Sequence, residues 1–324
     1  MHAITVHRTG GPEVLDYTEL PDPVAGPGQL LVAVAAAGVN FIDVYFRAGK
    51  YPLPLPFGLG SEGAGTVTAV GTGVADVVVG DVVAWADGNA GSYAELVTVK
   101  ADRAVKVPDA VAPQIAAASM LQGMTAHYLT ASTWPVQDGD TALVHAAAGG
   151  MGLLLTQLVK AKGGRVIGTV STAAKEAAAR AAGADEVIRY TEVADVAAEV
   201  RALTGGRGVD VVYDGVGADT FEASLASLRP RGLLALYGAA SGPVPPFDLQ
   251  RLNAAGSLFI TRPTLAHHIA TREDLLWRAG EVLSAVADGS LTITIGGRYP
   301  LAEAGAAHTA LESRATSGKL LLVP

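Results

Sequence analysis

The chain has 324 residues, half of them hydrophobic and none of them cysteine, and it carries a net charge of −8 at pH 7. This length exceeds the roughly 100–200 residues of a typical single domain, so we expect two domains, with one large barrel as the alternative. The absence of cysteine excludes disulfides, thiolate catalysis and zinc sites built on sulfur ligands, and the acidic charge without any block of Lys and Arg argues against a nucleic-acid surface.

The hydrophobic content does not predict a membrane protein. No apolar run reaches the roughly 18 residues that a membrane-spanning helix requires. Residues 2–8 alternate in polarity as a strand does, and they lack the basic start and apolar block of a signal peptide. We therefore expect a soluble, cytoplasmic protein with a large core, whose partner is a small molecule rather than a membrane or a nucleic acid.

The first third of the chain, up to about Pro108, predicts β structure. Its short β-branched runs are separated by turns rich in Gly and Pro, at 26–28 and 71–73. The clearest predicted strands here are 29–34, 65–70 and 81–85. This pattern is typical of a small, irregular β-barrel or sandwich, and after Pro113 it changes to an alanine-rich helical stretch.

From Thr141 onward, strands alternate with helices. The predicted strands are 141–145, 164–169, 186–190, 209–214, 232–237 and 258–261, and the predicted helices between them are 151–162 and 173–182. Such repeated alternation indicates a parallel, doubly wound sheet. A helix at 273–286 and a closing strand at 320–323 follow, and we assign this tail to the N-terminal domain because a late helix and strand can cap a barrel.

A glycine-rich turn follows the first of these alternating strands. Ala147, Gly149 and Gly152 occupy the three small positions of the dinucleotide fingerprint, with alanine replacing the first glycine. A glycine-rich turn between a strand and a helix is sometimes only a turn. Its place inside a strand-helix-strand unit favours a dinucleotide site.

The end of the next strand favours NADPH over NADH. An NAD site needs Asp or Glu about 20 residues past the fingerprint to hold the ribose 2′-hydroxyl, and no acid occurs in 168–172. Lys175 instead offers charge to a 2′-phosphate, and Ser171 and Tyr190 offer hydroxyl donors. The alternative is that Lys175 only solvates a helix face.

Five segments of the chain, in order, resemble one known family. These are Ala-Ala-Gly-Val-Asn-Phe-Ile-Asp at 36–43, Gly-Ser-Glu-Gly-Ala-Gly at 60–65, Gly-Asp-Val-Val at 80–83, the turn at 147–152, and Leu-Glu-Ser-Arg-Ala at 311–315. They are similar to the quinone oxidoreductases, the zeta-crystallin-like, zinc-free branch of the medium-chain dehydrogenases/reductases. The resemblance covers essentially the whole chain.

The resemblance implies a fold and an assembly. The fold class is α/β: a GroES-like β domain made of residues 1–121 and 263–324, which holds the substrate, and a Rossmann domain of residues 122–262 with a doubly wound parallel sheet, which binds NADPH. The nicotinamide is expected in the cleft between them, and the family usually forms homodimers through the edge of the Rossmann sheet. Zinc-dependent relatives place His where this chain has Ser61 and use cysteines as further ligands, so no zinc is expected.

The resemblance also assigns site residues. Asn40, Asp43 and Tyr45 line the pocket for nicotinamide and substrate, with Tyr51 nearby. The implied cofactor contacts are Thr125 and the turn Ala148, Gly149, Gly150, Met151 and Gly152 at ribose and pyrophosphate; Ser171, Lys175, Tyr190 and Arg314 at the 2′-phosphate; Gly238 at the adenosine; and the backbone of Phe259 and Thr261 at the carboxamide. Related enzymes carry Lys at the position of Gln122, which puts a charged role there in doubt.

Hydride transfer from a nicotinamide asks little of side chains, because the cofactor carries the chemistry. We expect no catalytic triad. Tyr45 or Tyr51 is the candidate proton donor, unless both only stack against a flat substrate. Asn40 is either a catalytic residue or an internal hydrogen-bond bridge, and Asp43 either positions ribose or satisfies a backbone turn. The histidines at 127, 145, 267 and 268 are interpreted as structural or solvent-facing.

Three alternatives to quinone reduction stay open at this stage. The same scaffold reduces the carbon–carbon double bond of α,β-unsaturated ketones, and the sequence does not separate the two reactions. Members of the family also accumulate as structural lens proteins or bind RNA, although the acidic charge weakens the RNA interpretation. A noncatalytic NADPH-binding protein is the third alternative.

Overall fold

The computed structural model describes residues 1–86 and 88–324, which divide into two units. One unit comprises Met1–Met124 with His268–Pro324, and the other comprises Thr125–His267. The sequence placed these divisions at 121/122 and 262/263. The first division falls inside a continuous helix, Pro113–Tyr128, so no loop marks it in the sequence.

The strands, in chain order, are β1 (His2–Val6), β2 (Leu15–Glu19), β3 (Gln29–Val39), β4 (Phe57–Gly58), β5 (Glu62–Val70), β6 (Val82–Ala86), β7 (Leu96–Lys100), β8 (Val105–Lys106), β9 (Thr141–Val144), β10 (Arg165–Val170), β11 (Glu186–Arg189), β12 (Val209–Asp214), β13 (Leu228–Leu236), β14 (Phe259–Thr261), β15 (Ile295–Pro300) and β16 (Lys319–Val323).

The α-helices, in chain order, are α1 (Phe41–Arg47), α2 (Pro113–Tyr128), α3 (Gly150–Ala161), α4 (Ala173–Ala181), α5 (Val196–Leu203), α6 (Phe221–Ser227), α7 (Gln250–Ala254), α8 (Leu265–His268), α9 (Arg272–Ala287) and α10 (Ala304–Glu312). Within the described residues, no helix combines the length and the apolar character needed to cross a membrane.

The first unit is built on a sheet to which both ends of the chain contribute. Its strand order is β15-β16-β3-β5-β6-β8, with β7 also paired to β3, and a smaller sheet has the order β2-β1-β4. The closing strand β16 pairs antiparallel with β3, so that Leu321 lies opposite Gly38. One core cluster forms around Leu59, Tyr93 and Leu322. The sequence therefore placed the C-terminal strand correctly with the N-terminal part of the chain.

The second unit contains a wholly parallel sheet with the order β11-β10-β9-β12-β13-β14. The chain starts in the middle at β9, builds outward to β11, and then crosses back to β12 to build the other half. All residues of β9 and β12 are buried, as in central strands of a doubly wound sheet. The predicted fold class is confirmed, and α5 and α6 supply crossover helices that the sequence analysis did not predict.

Local signals explain where several helices begin. The Thr172 side chain accepts a hydrogen bond from the backbone at Lys175 and caps α4, and Thr271 caps α9 in the same way. Helix α1 begins with a capping box between Asn40 and Asp43. Each cap satisfies backbone N–H groups that have no partner inside the helix.

Candidate functional site

The glycine-rich turn joins the central strand β9 to α3. Ala146 has a left-handed backbone with φ of 50°, and Gly149 is the N-cap of α3. A Cβ atom on Gly152 would lie 2.4 Å from the carbonyl oxygen of Ala146, so only glycine permits this close approach. The turn thus holds the N-terminus of α3 at the carboxyl end of β9, beside the point where the strand order reverses. Free N–H groups and the helix dipole favour a pyrophosphate there.

The other residues of the turn are small because they pack closely. Ala147 is buried and donates its backbone N–H to the carbonyl of Thr169 at 3.0 Å. A Cβ atom added to Gly168 of β10 would lie 2.7 Å from the Cβ of Ala147. Ala148 is also buried. A larger residue in this turn would push it away from β10.

The structure brings three of the predicted 2′-phosphate ligands together at the next strand ends. Ser171 follows β10 and Tyr190 follows β11, and these strands are paired up to their last residues. The backbone N–H of Tyr190 donates to Val170 (3.0 Å), and the Thr191 hydroxyl donates to the Ser171 carbonyl (3.0 Å). Lys175 stands in the first turn of α4, which starts directly after Ser171.

The charges around Lys175 suit an anion. Burial lowers the pKa of its ammonium group, because an ammonium loses hydration there. The next residue, Glu176, forms ion pairs with Arg180 (3.0 Å) and Arg189 (3.1 Å). The acid beside the lysine is therefore already neutralised by arginines.

The remaining predicted cofactor residues are spread over both units. Gly238 follows β13, and an added Cβ would lie 2.3 Å from the Gly215 carbonyl oxygen. Phe259 and Thr261 lie on β14, at the edge of the parallel sheet. Thr125 is buried within α2. Arg314 follows α10 in the first unit and has a left-handed backbone with φ of 58°.

A buried polar network that the sequence analysis missed lies directly behind the glycine-rich turn. His145 is buried, with Nδ1 3.0 Å from the Thr169 hydroxyl and Nε2 3.0 Å from the Ser224 hydroxyl. Ser224 in turn donates to the Asp214 carboxylate at 2.7 Å. Burial lowers the pKa of His145. The network ties together the carboxyl ends of β9, β10 and β12, and the interpretation of His145 as structural fits it.

In the first unit, the Asn40 side chain bridges a buried ion pair. Its amide donates to Glu62 Oε1 (2.7 Å) and to the Gly38 carbonyl (3.3 Å). Its oxygen accepts from Lys319 Nζ (2.5 Å) and Gln122 Nε2 (3.3 Å). These four bonds engage both hydrogens and the oxygen of the amide. The arrangement favours the internal bridge over the catalytic role that the sequence analysis gave Asn40.

Glu62 and Lys319 make direct contact in this bridge. Lys319 Nζ donates to Glu62 Oε1, and both side chains are almost completely buried. Glu62 Oε2 accepts from the backbone N–H of Leu121 at 2.6 Å. Glu62 stands in the sequence only as part of a motif, and Lys319 was not predicted as a site residue. A lysine directly before a run of apolar residues in a predicted strand is nevertheless a signal for a paired, buried charge.

Asp43 is fully buried and accepts hydrogen bonds from three groups. Ser61 Oγ donates to Oδ1 at 2.6 Å, and the Tyr93 hydroxyl (3.0 Å) and the backbone N–H of Asn40 (2.9 Å) donate to Oδ2. Burial raises the pKa of Asp43 to about 6, against the opposing effect of these donors. These internal contacts favour the role of Asp43 in the turn at the start of α1 over a contact with ribose.

The two candidate proton donors lie close together on and after α1. The rings of Tyr45 and Tyr51 are 5.6 Å apart in an edge-to-face arrangement. Tyr45 is buried, whereas Tyr51 keeps 42% of its surface exposed. Lys50 Nζ lies 5.2 Å from the centre of the Tyr45 ring. The pair therefore presents one accessible phenol beside an apolar wall.

Within residues 1–86 and 88–324, no group of three or more His, Asp or Glu side chains is arranged to hold a metal ion. Ser61, which stands where zinc-dependent relatives are expected to have His, donates a hydrogen bond to Asp43 here.

Comparison with known proteins agrees with this architecture. The model of the alcohol dehydrogenase GroES-like domain matches residues 26–109, and that of the zinc-binding dehydrogenase matches residues 150–274. A mycobacterial protein solved in complex with NADPH is 56% identical, with full coverage of both chains and a TM-score of 0.97. The quinone oxidoreductase of Escherichia coli, also solved with NADPH, is 44% identical, with full coverage of both chains and a TM-score of 0.97.

The fold and these matches define an oxidoreductase of the medium-chain dehydrogenase/reductase class. Within that class, the chain belongs to the quinone oxidoreductase family. The resemblance found in the sequence is thereby confirmed. A 2-haloacrylate reductase of Burkholderia sp is also similar, at 42% identity over 99% of this chain and 98% of that protein.

Proposed function

We propose that this protein is an NADPH-dependent quinone oxidoreductase, which transfers a hydride from NADPH to a quinone without a metal ion. The observation that carries the proposal is the full-length likeness to the E. coli quinone oxidoreductase, which was solved with NADPH. We further propose that the Rossmann unit binds NADPH and that the unit formed by both chain ends holds the substrate.

The residues of the Rossmann unit fit NADPH. The turn from Ala148 to Gly152 offers backbone N–H groups to a pyrophosphate, and Gly152 leaves the space that a Cβ would fill. Ser171, Lys175 and Tyr190 are proposed to hold the 2′-phosphate, since a partly desolvated ammonium and two hydroxyl residues at the ends of neighbouring strands suit a phosphate better than a ribose hydroxyl. Further proposed contacts are Thr125, Gly238, Phe259, Thr261 and Arg314.

When bound, NADPH supplies the hydride, which carries two electrons. A quinone that accepts a hydride still needs one proton to become a neutral hydroquinone. Of the two tyrosines, Tyr51 has the more exposed side chain, and we propose it as the proton donor with Tyr45 as the wall of the pocket. A phenol can hydrogen-bond a developing oxyanion and deliver the proton to it.

Three further properties are proposed on chemical grounds. Zinc independence is supported because the chain has no cysteine and because Lys319 already balances the charge of Glu62. A homodimer through the edge strand β14 is supported by Phe259, which is 58% exposed on that edge. A cytoplasmic location is supported by dependence on NADPH, which cells keep inside. Metal analysis and light scattering of the purified protein check the first two.

The test compares NADPH oxidation with benzoquinone, phenanthrenequinone and an enone, repeated with NADH and with Lys175→Ala. We expect turnover with quinones and NADPH. Loss of one charge-assisted hydrogen bond, about 1.5–3 kcal/mol, should lower the preference for NADPH over NADH by roughly 10- to 100-fold in Lys175→Ala.

Lys162→Ala is the matched control, because Lys162 is an exposed lysine at the C-terminal end of α3, and the glycine-rich turn lies at the N-terminal end of that helix. An unchanged coenzyme preference in Lys175→Ala would contradict the proposed phosphate site. Tight NADPH binding without turnover on any acceptor would contradict the enzymatic proposal and favour a noncatalytic NADPH-binding protein.

A second candidate reaction is the reduction of an activated carbon–carbon double bond, as in an enone. It is favoured by the likeness to the 2-haloacrylate reductase. Both reactions begin with hydride transfer to a carbon or oxygen conjugated with a carbonyl group, so the same cofactor site serves either one. Rapid turnover of the enone alone in the comparison above would select this second reaction.

A further inference from the structure

A series of hydrogen bonds runs from the last turn of α1 back to its first turn. Arg47, at the end of α1, is buried and forms a two-pronged ion pair with Glu312 of α10, with both N–O distances 3.0 Å. Arg47 Nη1 also lies 3.1 Å from His308 Nδ1. His308 Nε2 lies 3.2 Å from the Tyr93 hydroxyl, which reaches Asp43 at 3.0 Å.

The chemistry of the groups fixes the direction of every bond. Because a guanidinium has only donors, His308 Nδ1 must accept from Arg47. Burial and the charge of Arg47 lower the pKa of His308 to about 3, so the ring is neutral and its single proton is on Nε2. Nε2 therefore donates to the oxygen of Tyr93, and the Tyr93 hydroxyl donates to Asp43.

All the bonds thus point towards one carboxylate. The charged and titratable groups that surround Asp43 belong to several elements. They are Arg47 on α1, Glu62 on β5, Tyr93 before β7, His308 on α10 and Lys319 on β16. Each hydrogen bond that the Asp43 carboxylate accepts from Ser61, Tyr93 and the Asn40 backbone favours its ionised form, so the three donors together stabilise the anion against the effect of burial.

Arg47 and Asp43, at which this series of hydrogen bonds begins and ends, lie in the last and first turns of α1. Asp43 closes the capping box at the first turn, and Arg47 ends the helix. Tyr45 lies between them. We propose that Arg47, His308 and Tyr93 form a one-way hydrogen-bonded brace that holds Asp43 as an anion, and so fixes α1 and the Tyr45–Tyr51 pair for the reduction. The inference rests on the proposed function, and it makes these three positioning residues.

The same geometry separates a brace from a proton relay. A proton that left His308 through Tyr93 could be replaced only at Nδ1, and Nδ1 faces Arg47, which does not give up its proton. This series of hydrogen bonds therefore carries no net proton from the surface to Asp43. Arg47, His308 and Tyr93 need only a donor or acceptor atom at the correct position, and none of them has to gain or lose a proton.

Substitution of His308 tests this distinction. A glutamine offers one acceptor side for Arg47 and one donor side for Tyr93, and it cannot relay a proton. We expect His308→Gln to keep kcat within about threefold of the wild type, and His308→Leu to lower kcat by roughly 10- to 100-fold through misplacement of α1, with the KM for NADPH unchanged. His267→Gln, at an exposed position, is the matched control.

A folded His308→Gln protein that loses activity as fully as His308→Leu would overturn the brace in favour of a relay. Retained activity in both variants would show that these hydrogen bonds have no role in the reduction. Should the leucine variant not fold, Tyr93→Phe replaces it, because this change removes one hydroxyl and keeps the ring.

The acid side of the pH profile is the second readout. Tyr93→Phe removes a donor that lowers the pKa of Asp43, so the acid inflection of kcat should move to higher pH, whereas His308→Gln should leave it in place. The same shift should appear in the pH dependence of unfolding, which needs no turnover. A wild type that reduces no acceptor would therefore defeat the proposed function alone, and an unshifted unfolding profile in Tyr93→Phe would defeat the brace.

Discussion

Burial and hydrogen bonding have opposite effects on the pKa of the Asp43 carboxyl, and the effect of burial is the larger. Burial raises its pKa from the ordinary 3.8 to about 6, while Ser61, Tyr93 and the Asn40 backbone act in the other direction. The folded protein therefore holds this proton more tightly than the unfolded chain does. Its contribution to stability is complete below about pH 4 and is lost as the pH rises through about 6.

Replacement of Asp43 by asparagine tests this sign. Relative to Asp43→Asn, the free energy of unfolding of the wild type should fall by up to about 3 kcal/mol between roughly pH 4 and pH 7, at about 1.4 kcal/mol per unit of pKa shift. Denaturant unfolding at a series of pH values measures it. Asp109→Asn, at an exposed position, is the control, and parallel profiles for wild type and Asp43→Asn would refute the expectation.

At the scale of elements, the unit of strand β9, glycine-rich turn and helix α3 was largely predictable. Local information decides it: an apolar run short enough for a strand, three small residues at fixed spacing, and an apolar-faced helix. The missing acid after β10 is equally local. The His145 network behind the turn was not predictable, because its partner Ser224 lies 79 residues further along the chain.

Gly152→Ala tests the close approach in this unit. The added Cβ would meet the carbonyl oxygen of Ala146 and the backbone of Ala147, so the turn must shift. We expect a loss of about 1–3 kcal/mol in the free energy of unfolding and a KM for NADPH raised by roughly tenfold or more. Chemical denaturation and steady-state kinetics measure the two effects.

Gly280→Ala in α9 provides the matched control. A Cβ at Gly280 meets no atom within 4 Å, so alanine there should stabilise the protein by about 0.5–1 kcal/mol through its higher helix propensity. Equal effects of the two substitutions would show that the tight approach at Gly152 has no consequence.

At the scale of the whole molecule, the ion pair of Glu62 and Lys319 joins the N-terminal part of the chain to its last strand. The two residues are 257 positions apart, and both are almost completely buried. A buried charge that loses its partner is costly, typically about 3–5 kcal/mol. The pair therefore makes the fold of the first unit depend on both ends of the chain.

A double-mutant cycle tests this dependence. Lys319→Met and Glu62→Gln should each lower the free energy of unfolding by about 3–5 kcal/mol, and the double variant should lose clearly less than the sum, because it leaves no unpaired charge. Additive losses would mean that the pair is not coupled. Denaturant unfolding of the four proteins gives the coupling energy directly.

Residue types and their spacing were enough to predict the two kinds of domain, the place of the glycine-rich turn, the absence of thiol ligands and the family. These features depend on residue type and on short, regular spacing. The bridge that Asn40 makes between Glu62 and Lys319, and the hydrogen bonds of Asp43 to Ser61 and Tyr93, became evident from the folded structure. The reason is physical: the partner of a buried polar group is set by how distant segments pack, and no local period of the sequence encodes it.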